Sequence, residues 1–268
     1  MPNRKIPFLK LEKSPLVLVI AQVRISSVLG MENYLPKIQE PLRKAGFPKF
    51  KAEQTQNIVA GPVPQFISSV RWLFHNADNT ECVVLATDFI ALLTSKYDVF
   101  EAFIGKLQTV LQVLNEAVGV ELALRLGLRY VDLIRPVEGK SLADYLQPGL
   151  LGLPPAELGV ESFLTQFDSR GKTPVGNLTV KLHQNKKGLF IPPDVTGSDL
   201  KFDVVLKPGE TITLLDIDHS SPAQRPFKPD ALANAMWDLH EHSALAFRKA
   251  TIPSALDLWG AVQSKAKE

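Results

Sequence analysis

One segment limits the fold of this chain more than any other. Phe100, Phe103, Ile104, Leu107, Val110, Leu111, Leu114 and Val118 recur at spacings of three and four, so on a helix they make one unbroken apolar stripe. Such a helix takes its stability from a surface that buries the stripe. Asp98 stands at the N-cap position with Glu101 three residues on, an acidic form of the capping box, and Gly119 is the natural stop. On either side of this helix the period changes from helical to alternating. Strands are expected over 68–75, 82–87 and 89–95, with turn residues at 76–79 and 87–88, which together make an antiparallel meander. After the helix, Leu122, Leu124, Leu126, Leu128 and Tyr130 alternate with Arg125, Gly127 and Arg129 over 121–134.

The remaining segments fit the same pattern. Over 16–26, Ala21, Val23 and Ile25 face away from Gln22, Arg24 and Ser26, as on a strand with one polar face. Leu35, Ile38 and Leu42 predict a helix over 34–45 that Pro41 kinks or restarts, ended by Gly46. In the second half, 141–146 reads as a short helix and 148–155, rich in proline, glycine and leucine, as a connection. Two hairpins are expected: 160–167 with 177–184, and 201–206 with 211–218 across Lys207-Pro208-Gly209-Glu210, with a longer loop over 186–199. A long helix over 229–249 closes the series, with Leu232, Ala235, Met236, Leu239, Leu245 and Ala246 facing inward.

The fold class implied is α+β, with two antiparallel-sheet units each packed on one long amphipathic helix. Residues 1–14 read as a flexible arm, 15–136 as the first unit, 137–157 as a connection and 158–268 as the second unit. An internal duplication is suggested by two echoes: 70–76 with 178–184, and Val83-Val84-Leu85 with Val204-Val205-Leu206, each of the latter followed by a turn, a strand and a long helix.

Length and composition narrow the classes of function. At 268 residues and 45% hydrophobic, the chain has material for a real core or for two. With 30 basic and 28 acidic side chains, its net charge of +2 does not point to wholesale nucleic-acid binding, although a local basic patch fits within it. Cys82 is the single cysteine, which rules out an intrachain disulfide and makes a reducing, cytoplasmic location the expectation. The longest apolar run, 16–21, is far short of the about 20 residues of a membrane helix, so no membrane association is expected. The phosphate-loop, dinucleotide-binding, HExxH, GxSxG and CxxC motifs are all absent from the sequence.

Two constellations remain as candidate sites. Asp216 and Asp218 share a face at the end of a strand that reads Asp216-Ile217-Asp218-His219, and His240 lies on the helix that follows. Two carboxylates and an imidazole are the ligand types for a hard divalent metal in hydrolysis. Turn formation and capping explain such a strand end equally well, and His240 and His242 project about 200° apart on a helix. The second constellation is a polar row of Gln22, Arg24, Arg71, His75, Arg125 and Arg129. If their strands are neighbours, these side chains converge on the sheet face opposite the helix and offer a cationic surface for a phosphate, a carboxylate or an acidic partner. Trp72, Trp237 and Trp259 read as core anchors and Cys82 as an inert buried thiol.

Residues 15–25, the strand Leu126-Gly127-Leu128-Arg129-Tyr130-Val131, and Leu215-Asp216-Ile217-Asp218 with Leu239-His240 and Phe247 carry a resemblance. They look like a sporadically distributed family of uncharacterised prokaryotic proteins of similar length, whose GLRY-type strand continues with asparagine where Asp132 stands here. The resemblance implies a prokaryotic protein with the patchy occurrence of defence-associated genes, and it carries over no catalytic residue.

The functional expectation is a non-enzymatic interaction or regulatory component that binds another protein, within a defence, CRISPR-linked or toxin-neutralising system. The alternatives are a metal-dependent hydrolase or nuclease on Asp216, Asp218 and His240, and a sensor of an anionic ligand or nucleic acid through the arginine row. No cofactor is expected.

Overall fold

A computed structural model describes residues 9–59, 65–153, 156–161, 163–192, 195, 198–222 and 224–263. The fold is α+β, built on one large antiparallel sheet. In chain order its strands are β2 (Leu16–Ile25), β3 (Lys49–Val59), β4 (Gln65–His75), β5 (Glu81–Leu85), β6 (Phe89–Thr94), β7 (Leu122–Leu133), β8 (Gln166–Thr173), β9 (Gly176–Asn185) and β10 (Ile212–Ser221). They lie side by side as β3-β4-β5-β6-β2-β7-β10-β9-β8, with the short β11 (Arg225–Pro226) on the end of β7. A separate pair joins β1 (Leu9–Leu11) to β12 (Ala261–Gln263).

The helices are α1 (Leu35–Lys44), α2 (Phe100–Val118), α3 (Pro229–Ala250) and α4 (Pro253–Leu258). The stripe on α2 does what its spacing requires: Phe100, Phe103, Ile104, Leu107, Val110, Leu111 and Leu114 are buried. They meet Val19, Ala21 and Val23 of β2, Trp72 and Phe74 of β4, and Leu126, Leu128 and Tyr130 of β7 in one core, to which α3 adds Leu232, Met236 and Leu239. At about 2 kcal/mol per fully buried large apolar side chain, this layer supplies much of the drive to fold. Val99 rather than Asp98 is the N-cap, in an extended conformation and without a side-chain cap, and Asp98 Oδ1 instead accepts a hydrogen bond from Lys10 Nζ at 2.5 Å. Gly119 closes α2 at φ 72°, a left-handed conformation that favours glycine.

The opposite sheet face is half covered. There Leu18, Leu73, Cys82, Val84, Leu93, Val131 and Leu214 form a second apolar cluster, onto which Phe190, Ile191, Val195, Leu200, Phe202, Val204 and Leu206 pack. The segment 198–206 therefore lies across the sheet as a cover and not within it. This corrects the hairpin expected between 201–206 and 211–218. No strand forms over 201–206, Val205 is 81% exposed, and β10 pairs with β7 and β9. The echo between Val83-Val84-Leu85 and Val204-Val205-Leu206 ends there too, since the first is a strand inside the sheet and the second is cover; the structure shows no duplication.

Several other boundaries differ from expectation. The sheet runs through the line drawn between two units, because Leu126–Leu133 of β7 pairs residue for residue with Leu214–Ser221 of β10. Part of the expected N-terminal arm is fixed by β1 pairing with β12 and by Lys13 N–H donating to Trp259 O at 3.0 Å; residues 1–8 lie outside the described residues. The hairpin in the second half is β8 with β9, so its first strand starts at Gln166. α1 continues as one helix through Pro41. On β7, Leu124 is exposed while Ala123 is buried. A register shift opposite Arg24 and Ile25 marks a bulge that exchanges the faces of the strand's first residues.

Candidate functional site

Four of the six residues of the polar row line one cleft. Gln22 projects from β2, Arg71 from β4, and Arg125 and Arg129 from β7, all on the sheet face opposite α2 and α3. Two strands separate β4 from β2, so Arg71 starts about 14 Å from Gln22 at about 4.8 Å per strand spacing. Long guanidinium side chains reach across that interval. Ile20, Val84, Ala91 and Leu93 floor the cleft, Val195 and Ser198 of the cover wall it, and its volume is about 300 Å³.

The donors in this cleft are only partly used. Arg71 Nη2 gives one long hydrogen bond of 3.3 Å to Glu53 on β3, while its Nε is buried with no partner among the described residues. Arg125 lies back along its own strand over Gly127, where a Cβ would sit 3.7 Å from its Nη1. No hydrogen bond or ion pair engages its guanidinium among the described residues. Arg129 is the exception: its Nε donates to Asp216 Oδ1 at 2.8 Å and its Nη2 to Oδ2 at 2.7 Å, a bidentate pair with both side chains largely buried. Asp218 also lines the cleft. Burial pushes its carboxyl above the usual range, and the nearby Arg125 and Arg129 work against that rise. Two guanidiniums with unspent donors above an apolar floor suit an anionic group carried on an apolar body.

Two members of the row lie elsewhere. Arg24 is exposed and pairs with Asp88 at 3.1 Å. His75 is buried under the cover, where its Nε2 donates to the Ser198 carbonyl at 2.6 Å and ties that wall to the sheet. Burial pushes the Cys82 thiol up to about 12, so it is an unreactive core residue.

The proposed metal set is not brought together. Asp216 and Asp218 face the cleft, whereas His240 is on α3 across the sheet, stacked on Phe100 at 4.0 Å between ring centroids and 2.8 Å from the Tyr130 hydroxyl through its Nδ1. Asp216 is held by Arg129. The period of two that put both aspartates on one face was legible, but β10 as a whole stands between them and the imidazole. No group of three or more candidate metal-ligating side chains forms among the described residues. His219, last of the Asp-x-Asp-His run, is a fold fastening: its Nδ1 donates to the Leu239 carbonyl at 3.1 Å, leaving Nε2 facing Thr173 Oγ1 at 2.9 Å.

His240 lines a second cavity, of about 200 Å³, between α3 and the helix face of β7. Here the residue that sequence reasoning passed over is Asp132. Alternation after Tyr130 places it on the helix face, and only the tertiary packing buries it, at 3% exposure. No family model and no curated protein sequence matches the chain, so the reading of both cavities rests on their geometry.

Proposed function

We propose that the chain is a regulatory component that recognises a small anionic ligand in the arginine-lined cleft. The observation that carries this reading is the pair of guanidiniums, Arg125 and Arg71, with donors unspent inside a concave site. A buried, unsatisfied donor costs about 1–3 kcal/mol, and an anion that accepts from it recovers that cost. The apolar floor beneath favours a ligand with a flat or aliphatic body over inorganic phosphate alone.

Titration calorimetry with phenyl phosphate, with AMP and with inorganic phosphate tests it. The organic phosphates are expected to bind more tightly than phosphate, more weakly as salt rises, and about tenfold or more worse to the Arg125→Ala variant. Equal affinity of native protein and variant, or no binding of any of the three, overturns the reading. A short single-stranded RNA that binds with a steep salt slope, where the mononucleotide does not, places the anion in a nucleic acid.

A second observation favours a protein partner. Leu153, Leu158, Val160, Phe163 and Leu164, close together in the irregular segment before β8, are all exposed large apolar side chains. Exposed apolar clusters of this kind mark interaction surfaces. A protein that co-purifies stoichiometrically with the native chain from its host, and is lost from a folded Phe163→Ser variant, is the expected outcome; retention by that variant counts against this surface. No helix among the described residues is long and apolar enough to cross a membrane.

A further inference from the structure

The cavity between α3 and the sheet holds a carboxyl group with nothing to bind. Asp132 is 3% exposed and lines the cavity, and among the described residues it makes no hydrogen bond and no ion pair. Isolated buried carboxyls are costly, so this one calls for a partner that the chain itself does not provide. The surrounding walls say which kind. Three more acids, Asp98, Glu101 and Glu241, stand on the lining against two cations, Lys10 and Arg248, and Lys10 is taken by Asp98 at 2.5 Å. Aromatic side chains complete the enclosure: Tyr97, Phe100, Tyr130, Trp237, His240 and Phe247. Trp237 stands edge-on to Phe100 at 4.5 Å between centroids, and Tyr97 stands edge-on to Tyr130 at 6.2 Å.

We infer that this cavity binds a small organic cation, an ammonium group carried on an apolar body, with the ammonium against Asp132 and the body among the aromatic rings. Ring faces attract cations, and the attraction grows where water is excluded. A pocket of this size is suited to one ring or a short chain.

The groups that face Asp132 set the proton balance. Burial pushes its carboxyl up to about 8, the Asp216 carboxylate beyond the sheet adds to the rise, and Tyr130 on its own strand stays protonated well past neutrality. His240, Glu241 and Arg248 face it from α3, Asp98 and Glu101 from the start of α2, Tyr97 from the turn before α2, and Lys10 from β1. The empty site therefore holds a protonated acid at neutral pH, and an arriving ammonium ion displaces that proton to solvent.

Titration calorimetry with phenethylamine, in two buffers of different ionisation enthalpy, tests the proposal against 2-phenylethanol and 3-phenylpropionate. The amine is expected to bind with release of close to one proton at neutral pH, and at least about tenfold more tightly than the neutral alcohol or the acid. Asp132→Asn is expected to erase that preference while phenyl phosphate binding in the arginine cleft is unchanged. Trp237→Leu is expected to weaken the amine through the loss of one wall. Nα-acetyl-lysine amide in place of phenethylamine separates a peptide lysine from a free amine as the source. Equal binding of the alcohol and the amine, an Asp132→Asn variant that keeps the preference, or no amine binding at about 10 mM overturns the inference.

Discussion

Asp132→Asn is expected to stabilise the protein by on the order of 5 kcal/mol near pH 8 and by almost nothing near pH 4. The carboxyl titrates near 3.8 when free and at about 8 in the fold. Below the lower value it is protonated in both states and adds nothing. Between the two, the unfolded chain gives up a proton that the folded chain retains, so stability falls as pH rises, and above the upper value the penalty is constant. Asparagine is neutral throughout and escapes this cost. The measurement is urea unfolding of native protein and variant at several pH values, and a difference that does not change with pH would show that Asp132 is not held protonated by its burial. A stabilising substitution that also erases the preference for the amine is the usual sign of a site kept at the expense of stability.

Asp216→Ala is expected to cost about 3–5 kcal/mol, because it removes a bidentate carboxylate from a largely buried guanidinium, that of Arg129. Exposed pairs such as Arg24 with Asp88 are worth at most about 1 kcal/mol, and their removal serves as the control. Replacing both partners, Arg129→Met with Asp216→Leu, is expected to recover most of the loss, since apolar side chains then stand where the buried pair stood. Thermal or urea unfolding reads all three. Arg129 also lines the cleft, so removal of the Asp216 carboxylate is expected to raise anion affinity while stability falls. A single-variant loss no larger than that of the exposed control would show that the bidentate pair is screened by water.

How much of this was legible depended on how local the cause is. The stripe of α2, the meander β4-β5-β6 and the length of α3 follow from side-chain periods of 3.6 and 2, which act within one element. For the same reason the local pattern places Gln22, Arg71, Arg125 and Arg129 on polar strand faces whichever strands come to share a sheet. The strand β3 carries no clear alternation, since Lys49–Val59 mixes charged and polar residues along most of its length, and it was missed. The bulge in β7 depends on a partner distant in sequence, the strand β2.

Side-chain faces along the regular stretches of strand and helix follow from backbone geometry, so those were readable from the residue order; the bulge in β7 and the unpatterned β3 were not. Which faces meet is a matter of long-range packing. It set β7 between β2 and β10, so that one strand offers Arg125 and Arg129 to the cleft and Tyr130 and Asp132 to the cavity behind it. It also put His240 and the Asp216 and Asp218 pair on opposite sides of the sheet, and laid the segment 198–206 over the sheet as a wall. Burial, unlike alternation, belongs to the packed assembly, and burial makes an ordinary aspartate at position 132 a group that stands out chemically.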